Sequence, residues 1–574
     1  MNPLTNLFLQ RRGYTPEVLK NINDPSHQKL LNIDKLSEIL KQVHDSGDRI
    51  VIMPDFDTDG ISAGTVGMAG LAQMGFNVSL YAPVPANGYG IQVSDVRKVQ
   101  QNWPDVKYII TCDVGITCYN AFEYAKNQGI HVLITDHHEE KINKPKPLYC
   151  DVIVDPCQLA DTYPLKGICG AHVFYQVLMN YAQHYENDTN IHLISLLSTF
   201  AGIGTIGDMM PVVHENRPLI VEAVKMMRFL YNTPDTDDLF PPYAHDIYKR
   251  AFIGLKVLMQ EFHRNGKLRS SLDIDEKWLG WTLVPTYNSA KRLNLSMKDV
   301  FGIFFGSDTN MQAKCSEILI QANEKRKRLT KQYFGIIQQQ TEQQKQPWAP
   351  FIFLTDADGG FAGLIANMIM NQTGLPAFVL NAMTLHGSGR TPDYLPIIQM
   401  TQNSVFAKNF NGHEHAFGVG FSSPNEVSAF YNYLEPIVAK LASVYAEQHK
   451  DDLGYDVLLG SRGAQKFDQA INLNQDFDFL NTTKQLKPFG QAFPEPVVNI
   501  TGVTENARIM TMGKLNQHLK IVLPEGISLI SWNNGDKIDQ IKSKPTFEFS
   551  GNLAVNEFRG SQNLQLIGDW LENK

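Results

Sequence analysis

The sequence has few cysteines and none of the paired spacings that hold zinc. Its six cysteines lie at positions 112, 118, 150, 157, 169 and 315, and no two form a Cys-x-x-Cys pair. A zinc ribbon and a disulfide framework are therefore not expected. Cys112 lies in an apolar run next to an aspartate, and we interpret it as a buried structural thiol.

The sequence also lacks an uninterrupted hydrophobic run of the length that crosses a membrane. The most apolar stretch, residues 192–213, is interrupted by Asp208 and rich in glycine, which predicts a buried helix leading into a loop. Residues 1–14 contain no cationic segment followed by an apolar core, so no secretory signal is expected. These absences favour a soluble, cytoplasmic protein without membrane contact.

An excess of positive charge is missing as well. The formal net charge is -8, which does not favour a nucleic-acid binder at the level of the whole surface. A cleft can still be basic locally, and bound metal ions add positive charge that a residue count omits. The dense basic cluster at residues 325–328 is typical of a solvated helix face, with a DNA-facing role as the alternative.

What is present is enough apolar material for several packed cores. The chain has 574 residues, of which 43% are hydrophobic and 10% aromatic, so three or four domains are expected and disorder is not. We predict five segments: an extension over 1–44, an α/β domain over 45–224, a helical connector over 225–346, a second α/β domain over 347–453, and a strand-rich, barrel-like domain over 454–574.

Acidic clusters follow the predicted strands of the first third. Short apolar strands are predicted over residues 49–53, 106–111, 130–135 and 151–154, with helix-compatible segments between them. This alternation is typical of a doubly wound parallel sheet, in which the carboxyl ends of the strands line a binding crevice. Each strand ends at such a cluster, which begins at Asp55, Asp113, Asp136 or Asp155.

The first cluster, Asp55-Phe56-Asp57-Thr58-Asp59-Gly60, places three carboxylates on one strand-to-helix turn. At alternate positions of an extended segment these side chains would converge on one side. A calcium-binding EF-hand loop is excluded, because its twelfth position would be Val66 rather than Glu and a strand precedes the loop. Helix capping remains the alternative for any single aspartate.

Asp113, the triplet Asp136-His137-His138 and Asp208 extend the set of acidic and imidazole groups. Mixed carboxylate and imidazole ligands favour manganese or magnesium over a closed zinc site. Clustered carboxylates repel one another unless cations neutralise them. The sequence therefore predicts a site for two Mn2+ or Mg2+ ions that activates water against a phosphodiester.

These residues, in this order, resemble the four motifs of the DHH phosphoesterase superfamily, and downstream segments are similar to its RecJ family. The DHH motifs are D-F-D-T-D-G, T-C-D-V-G, T-D-H-H-E and G-T-I-G-D. The later segments are Y-N-S-A-K-R-L from Tyr287, H-G-S-G-R-T from His386 and N-G-H-E-H-A-F-G from Asn411. The resemblance spans roughly residues 45–570. It implies a DHH domain, a helical connector, a DHHA1 domain and a C-terminal OB-type β-barrel.

The resemblance also implies roles for individual residues. The implied metal ligands are Asp57, Asp59, Asp113, His137 and Asp208. Asp55 and Asp136 would support these ligands, and His138 would face the scissile phosphate. The implied substrate-binding residues are Arg292, Ser388, Gly389, Arg390 and His413. Lys514, His518 and Lys520 are candidates for contact with nucleic acid in the barrel. A surface ion pair is the alternative for Arg292.

The implied function is a 5′-to-3′ exonuclease that degrades single-stranded DNA to 5′-mononucleotides in repair or recombination. It would act as a monomer, with a single-strand-binding protein or a helicase as candidate partners. One alternative is a DHH phosphodiesterase acting on short RNA or cyclic dinucleotides. Another is a catalytically weak scaffold that binds DNA and replication or repair partners.

Five residues at four places depart from the family pattern. Met53 replaces a histidine, Val84 replaces a basic residue, Ala357-Asp358 replaces Trp-His, and Lys291 replaces glycine. The first two changes put one metal site and one 5′-phosphate contact in question. The expected ligand set itself is retained.

Overall fold

The structure, a computed structural model, describes residues 2–26, 28–83, 90–140, 149–234, 240–342, 348–357, 359–449, 452–558 and 561–571. The side chains of residues 338–342, 413 and 558 are not among those described. The expectations for Val84, Asp358 and the His413 side chain therefore lie outside the described residues.

The strands, in chain order, are β1 Arg49–Pro54, β2 Val78–Leu80, β3 Val106–Cys112, β4 His131–Thr135, β5 Val152–Val154, β6 Phe351–Thr355, β7 Ala377–Asn381, β8 His386–Arg390, β9 Phe410–His413, β10 Ala416–Gly420, β11 Val457–Gly460, β12 Gln469–Ala470, β13 Val498–Val503, β14 Arg508–Met512, β15 His518–Val522, β16 Ser528–Ser531, β17 Thr546–Phe558 and β18 Ser561–Leu571.

The helices are α1 Pro3–Arg11, α2 Pro16–Asn23, α3 Ile33–Ser46, α4 Thr58–Gln73, α5 Val93–Asn102, α6 Tyr119–Asn127, α7 Gly170–Tyr185, α8 Asp188–Leu196, α9 Ser198–Gly207, α10 Asn216–Asn232, α11 Asp246–Arg264, α12 Glu276–Trp278, α13 Val284–Arg292, α14 Met297–Phe305, α15 Thr309–Glu342, α16 Gly359–Thr373, α17 Ile397–Thr401, α18 Pro424–Gln448, α19 Leu473–Lys484 and α20 Ile538–Lys542.

The chain divides into two structural units. The large unit comprises Gln28–Met210 and Leu219–Asp451, and the terminal unit comprises Met1–His27, Pro211–Pro218 and Asp452–Lys574. The five-segment division drawn from the sequence stays a prediction.

In the large unit, the first sheet is parallel throughout and has the order β2-β1-β3-β4-β5. Alternate residues of its strands enter different cores. Ile50 and Ile52 pack with α3, α4 and α7, whereas Val51 and Ile109 pack with α5 and α6. Helices therefore cover both faces, which confirms the doubly wound prediction. The short edge strand β2 was not predicted, because its sequence Val-Ser-Leu lacks the continuous β-branched run and the terminal aspartate that marked β5.

Among the described residues, one helical stretch, Asp188–Gly207, is long and apolar enough to cross a membrane by length and composition alone. It consists of α8 and α9, and 61% of its most apolar window is buried inside the fold. Phe200 and Ile203 of α9 belong to the main core. The predicted buried helix is confirmed.

Helices α11 to α15 connect the first sheet to a second one, of order β6-β7-β8-β10-β9, in which only β6 and β7 are parallel. The long helix α15 ends beside the second core, where Tyr333 stacks edge-on against Phe361 of α16. This mixed α/β architecture confirms the predicted class of the second α/β domain.

The terminal unit is built on an eight-stranded sheet of order β12-β11-β13-β17-β18-β16-β15-β14. Among the described residues no ladder joins β12 to β14, so closure into a barrel stays a prediction. The helix α19 was not expected, because its sequence offers little apolar periodicity. It contributes Phe479 to the core, beside Val457 of β11 and Phe8 of α1.

The N-terminal helix α1 is part of this terminal unit. Leu4 and Phe8 are buried in its core, and Arg11 forms a two-pronged ion pair with Asp468, at 2.7 and 2.9 Å. Arg217, in the inserted segment Pro211–Pro218, donates to the Pro488 carbonyl at 2.9 Å. The terminal unit therefore draws on three separate parts of the sequence.

We predict that Phe8→Ala destabilises the terminal unit. Phe8 is fully buried, and removing such a ring costs about 3–5 kcal/mol. Hydrogen exchange measured by mass spectrometry should accelerate in peptides covering β11 and α19. Val18→Ala, at an exposed position of α2, is the matched control and should leave their exchange unchanged. Unaltered exchange in Phe8→Ala would contradict the packing described here.

Candidate metal centre and anion pocket

The first acidic cluster lies on the turn between β1 and α4. Asp57 is the N-cap of α4, and its Oδ1 accepts hydrogen bonds from the backbone N–H groups of Asp59 (3.1 Å) and Gly60 (3.3 Å). Asp59 lies in the first helical turn, so the expectation of an extended segment is wrong. A Cβ on Gly60 would lie 2.4 Å from the Asp55 carbonyl carbon, so the turn itself requires this glycine.

Asp59 connects the turn to the start of α7. Its two carboxylate oxygens accept hydrogen bonds from Gly170 N at 2.6 Å and Ala171 N at 3.0 Å. Both aspartates therefore accept hydrogen bonds at a helix start, as the capping alternative expected: Asp57 at α4 and Asp59 at α7. Capping and metal binding are compatible, because each carboxylate offers about four lone-pair sites.

His137 brings the acidic groups of three other segments together. Its Nε2 lies 3.0 Å from Asp113 Oδ1, 3.6 Å from Asp208 Oδ2 and 3.7 Å from Asp59 Oδ2. Asp113 follows β3 and has a left-handed backbone conformation, with φ +63°. A residue other than glycine keeps this conformation where the surrounding structure enforces it. A Cβ on Gly170 would lie 2.5 Å from the Asp113 Cβ, so that glycine admits the aspartate.

These side chains form three overlapping groups in which the ligand atoms lie within 4.8 Å of one another: Asp59, His137 and Asp208; Asp113, His137 and His138; and Asp55, Asp57 and Asp113. All the predicted metal ligands are therefore brought to one place. The prediction that the strand ends line a crevice explains this convergence, since β1, β3 and β4 are adjacent.

The electrostatics of the cluster fit a bound cation. Burial, followed by the charges of Asp59 and Asp57, raises the pKa of both Asp113 and Asp208 well above the usual range. Burial and Asp57 raise the pKa of Asp55 to about 7. Burial lowers the pKa of His137, which favours the neutral imidazole that a metal requires. A divalent ion would offset the repulsion that these shifts record.

Asp136 orients the second histidine. Its Oδ1 lies 2.7 Å from His138 Nδ1 and accepts the His137 backbone N–H at 2.8 Å, while Oδ2 accepts the Ile116 N–H at 2.9 Å. Burial lowers the pKa of His138, but the charge and hydrogen bond of Asp136 outweigh it and raise that pKa to about 10. The same contacts hold the pKa of Asp136 at about 2 against its own burial.

Three arginines gather near the second sheet. Arg292, the last residue of α13, donates to the Gly360 carbonyl at 2.8 Å. Burial lowers its pKa to about 10, and the positive charges of Arg326 and Arg390 contribute. In the described part of the chain neither Arg292 nor Arg390 forms an ion pair, which contradicts the surface ion-pair alternative for Arg292. Partly buried guanidinium groups that have no ion-pair partner among the described residues are suited to binding an anion.

The predicted substrate segment of β8 adjoins these arginines. A Cβ on Gly363 of α16 would lie 2.9 Å from Arg390 Nη2 and 3.4 Å from Ser388 Cβ, so both side chains reach α16. Gly389 faces the ring of Phe417, where a Cβ would lie 2.2 Å from Cε2, so packing requires a glycine there, and its role in substrate binding stays a prediction. His413 belongs to β9, which pairs with β10.

Arg326 was not assigned to a site from the sequence. It lies in the basic cluster 325–328 on α15, and its Nε donates to Asn323 Oδ1 at 2.9 Å. From the sequence, the cluster was either a solvated helix face or a DNA-facing one. Packing shows which of its four residues point inward and which point to solvent. Asn323 is buried, which places Arg326 on the inner side of the helix.

The candidate nucleic-acid residues of the terminal unit lie on and beside one hairpin. Lys514 is exposed in the turn between β14 and β15, while His518 and Lys520 lie on β15. The His518 ring packs edge-on against Trp532, at 4.8 Å between centroids, and Trp532 is 53% exposed. Trp532 was not singled out from the sequence; it directly follows β16, and exposed aromatic rings are the side chains on which bases stack.

Two family models match parts of the sequence. The DHH family N-terminal domain matches residues 49–203, which contain β1 to β5 and most of the metal-centre residues. The RecJ OB domain matches residues 468–569.

Curated relatives match over most of the chain. The single-stranded-DNA-specific exonuclease RecJ of Haemophilus influenzae is 25% identical over 592 residues, which cover 98% of this chain and 94% of that relative. The protein of the same name from Thermus thermophilus is 24% identical, over 92% of this chain and 69% of its own length.

The fold agrees with these matches. A crystal structure of RecJ in complex with Mn2+ from Thermus thermophilus superposes with a TM-score of 0.70 and 20% identity, covering 100% of this chain and 76% of that one. The similarity in fold therefore extends beyond the two matched domains. The chain is RecJ-like: it carries matches to the DHH family N-terminal domain and to the RecJ OB domain, and it resembles RecJ exonucleases over nearly its full length.

Proposed function

We propose that this protein is a metal-dependent exonuclease that degrades single-stranded DNA from the 5′ end to mononucleotides. The observation that carries the proposal is the position of His137 Nε2, within 3.7 Å of carboxylates from three other segments. The curated relatives are named as single-stranded-DNA-specific exonucleases, which supports this substrate.

Five residues would hold the metal ions, for which we propose manganese or magnesium: Asp57, Asp59, Asp113, His137 and Asp208. Bound divalent ions lower the pKa of a coordinated water and offset the negative charge of a phosphodiester. The chain's contribution is to fix the ligands. Asp59 is held by two backbone donors of α7, and Asp113 packs closely against Gly170.

His138 would contact the scissile phosphate as a cation. Asp136 Oδ1 lies 2.7 Å from its Nδ1 and raises its pKa to about 10, which favours the doubly protonated ring at neutral pH in the metal-free protein. The protonated ring also carries a proton on Nε2, which can donate to a phosphate oxygen. Asp136 is thus a positioning residue for His138 and, through the His137 backbone, for the metal ligand beside it.

The three arginines and Ser388 would bind the 5′-terminal phosphate. Guanidinium groups pair with phosphate oxygens through parallel N–H donors, and a serine hydroxyl adds a further donor. Such a pocket selects a strand end over an internal position. Because Arg326 approaches Arg292, it would offset the loss of a basic residue at Val84, whose place lies outside the described residues.

The terminal unit would carry the rest of the strand. Trp532, His518 and Lys520 combine an exposed ring with positive charge, as surfaces that stack bases and follow a phosphate backbone do. The match to the RecJ OB domain favours a long strand over short RNA or cyclic dinucleotides. The retained ligand set disfavours the scaffold alternative. We further propose a monomer of the cytoplasm, with a single-strand-binding protein or helicase as partner.

We predict that the protein releases mononucleotides at once from a 5′-labelled single-stranded DNA and produces a shrinking ladder from a 3′-labelled one. Activity should require manganese or magnesium and stop with EDTA. Asp113→Asn should lower the rate by about 10²-fold or more, since even groups that only orient metal ligands have effects of 10–100-fold. Asp105→Asn, an exposed aspartate in the same unit, should retain activity. Retained DNA binding without cleavage under either metal would reject the proposal.

We predict that Arg390→Met removes a preference for 5′-phosphorylated over 5′-hydroxyl strands. Hydrogen bonds to charged groups contribute about 1.5–3 kcal/mol, so KM for the phosphorylated strand should rise about ten- to hundredfold. The hydroxyl strand should be affected far less. Arg264→Met, an exposed arginine of α11, is the control. An equal loss on both strands would show that the pocket does not read the phosphate.

We predict that Asp136→Asn lowers the pKa of His138 from about 10 towards the ordinary histidine value near 6.5. The sign follows because the carboxylate stabilises the protonated ring and the amide does not. An NMR titration of the metal-free protein, with EDTA present, would measure it. The NMR chemical shifts of the His131 ring, at the opposite end of β4, serve as the internal reference. A His138 pKa unchanged by the substitution would contradict this account.

A further inference from the structure

The candidate metal centre has two unlike corners. In the imidazole corner, His137 Nε2 lies among oxygens of Asp59, Asp113 and Asp208. In the carboxylate corner, oxygens of Asp55, Asp57 and Asp113 lie within 4.8 Å of one another, without an imidazole. An imidazole and several carboxylates bind a transition ion more firmly than carboxylates alone, which are suited to weaker, exchangeable binding.

Met53 does not add a ligand to the carboxylate corner. It is fully buried in β1, and its side chain packs in the core formed with α5 and α6, beside Val51 and Ile109. The departure from the family pattern at this position therefore leaves the corner with oxygen donors from the turn and from Asp113.

A lysine lies at the same corner. Lys291 Nζ is 4.0 Å from Asp57 Oδ2 and lies 4.6 Å from the centroid of the Phe56 ring. Its positive charge lowers the pKa of Asp55, against the larger effects of burial and Asp57. The ammonium group is thus held by a carboxylate and an aromatic face of the turn that carries the ligands.

The helix that carries Lys291 is fixed to this turn. Asn288 Oδ1, one helical turn earlier in α13, accepts hydrogen bonds from the Thr58 backbone N–H at 2.9 Å and from Thr58 Oγ1 at 3.0 Å. The Thr58 hydroxyl also approaches the Val284 carbonyl at 3.3 Å. Lys291 therefore reaches the corner from a rigid support.

We propose that Lys291 competes with a divalent cation for the carboxylate corner, so that the protein binds one Mn2+ tightly in the imidazole corner and a second one weakly. A second ion must displace the ammonium from Asp57 or bind against its repulsion. Lys291 is then a positioning residue that sets metal occupancy. The inference rests on the metal binding in the proposed function, but not on the DNA substrate.

The test is a Mn2+ titration of the full-length protein, by calorimetry and by the EPR signal of free manganese. The wild type should bind one ion tightly and another more weakly. Lys291→Met keeps the length of the side chain without its charge, and it should strengthen the weak site about tenfold or more, the scale on which a charge at this distance acts. The tight site should change less than twofold, and Lys291→Arg should retain the weak one.

Lys298→Met removes an exposed lysine from the neighbouring helix α14 and should leave both sites as in the wild type. Two equally tight sites in the wild type would overturn the proposal, as would a weak site that Lys291→Met leaves unchanged or weakens. Because the titration contains no DNA, its failure is separable from that of the proposed function. If the protein is an active exonuclease and Lys291→Met leaves the weak metal site unaltered, only the proposed role of Lys291 is rejected.

Discussion

Repulsion among buried carboxylates at the ends of β1, β3 and β4 is the constraint on which the rest of the structure depends. Burial and neighbouring carboxylates raise the pKa values of Asp55, Asp113 and Asp208 above their usual range. The fold holds them in place with backbone donors and with glycines that leave no room for a side chain. A bound divalent cation would offset this repulsion and would link the charged form of the cluster to metal binding.

Single carboxylates meet two demands at once. Asp57 caps α4 through Oδ1 while Oδ2 faces Lys291, and Asp59 fixes the start of α7 while its Oδ2 lies 3.7 Å from His137. Capping and metal binding were alternatives at the level of sequence because each explains an aspartate near a helix start. In the structure both aspartates cap helices, and these contacts orient the carboxylates that we propose as metal ligands.

The sequence predicted the parts of the fold that depend on local pattern. β-branched runs ending in aspartate marked the parallel strands, and adjacent strand ends explained why distant aspartates meet. Tertiary packing determined the rest. Nothing local showed that α1 and the segment 211–218 join the C-terminal sheet. Nor did it show that Arg326, one of the four basic residues 325–328, lies on the inner side of α15. In the sequence, Lys291 was notable only as a departure from a motif. Its ion pair with Asp57 could not be predicted, because it depends on how α13 is oriented against the β1–α4 turn.

Helix α13 relates the two halves of the candidate site. Lys291 approaches Asp57 at the metal centre, and the next residue, Arg292, donates to Gly360 beside the anion pocket. Successive residues of a helix diverge by about 100° with Cα atoms about 3.8 Å apart, so α13 brings a contact of the candidate metal centre and a contact of the anion pocket close together. On the proposed function, a terminal phosphate bound so near the metal ligands would favour cleavage close to the strand end, in keeping with a mononucleotide product rather than a longer fragment.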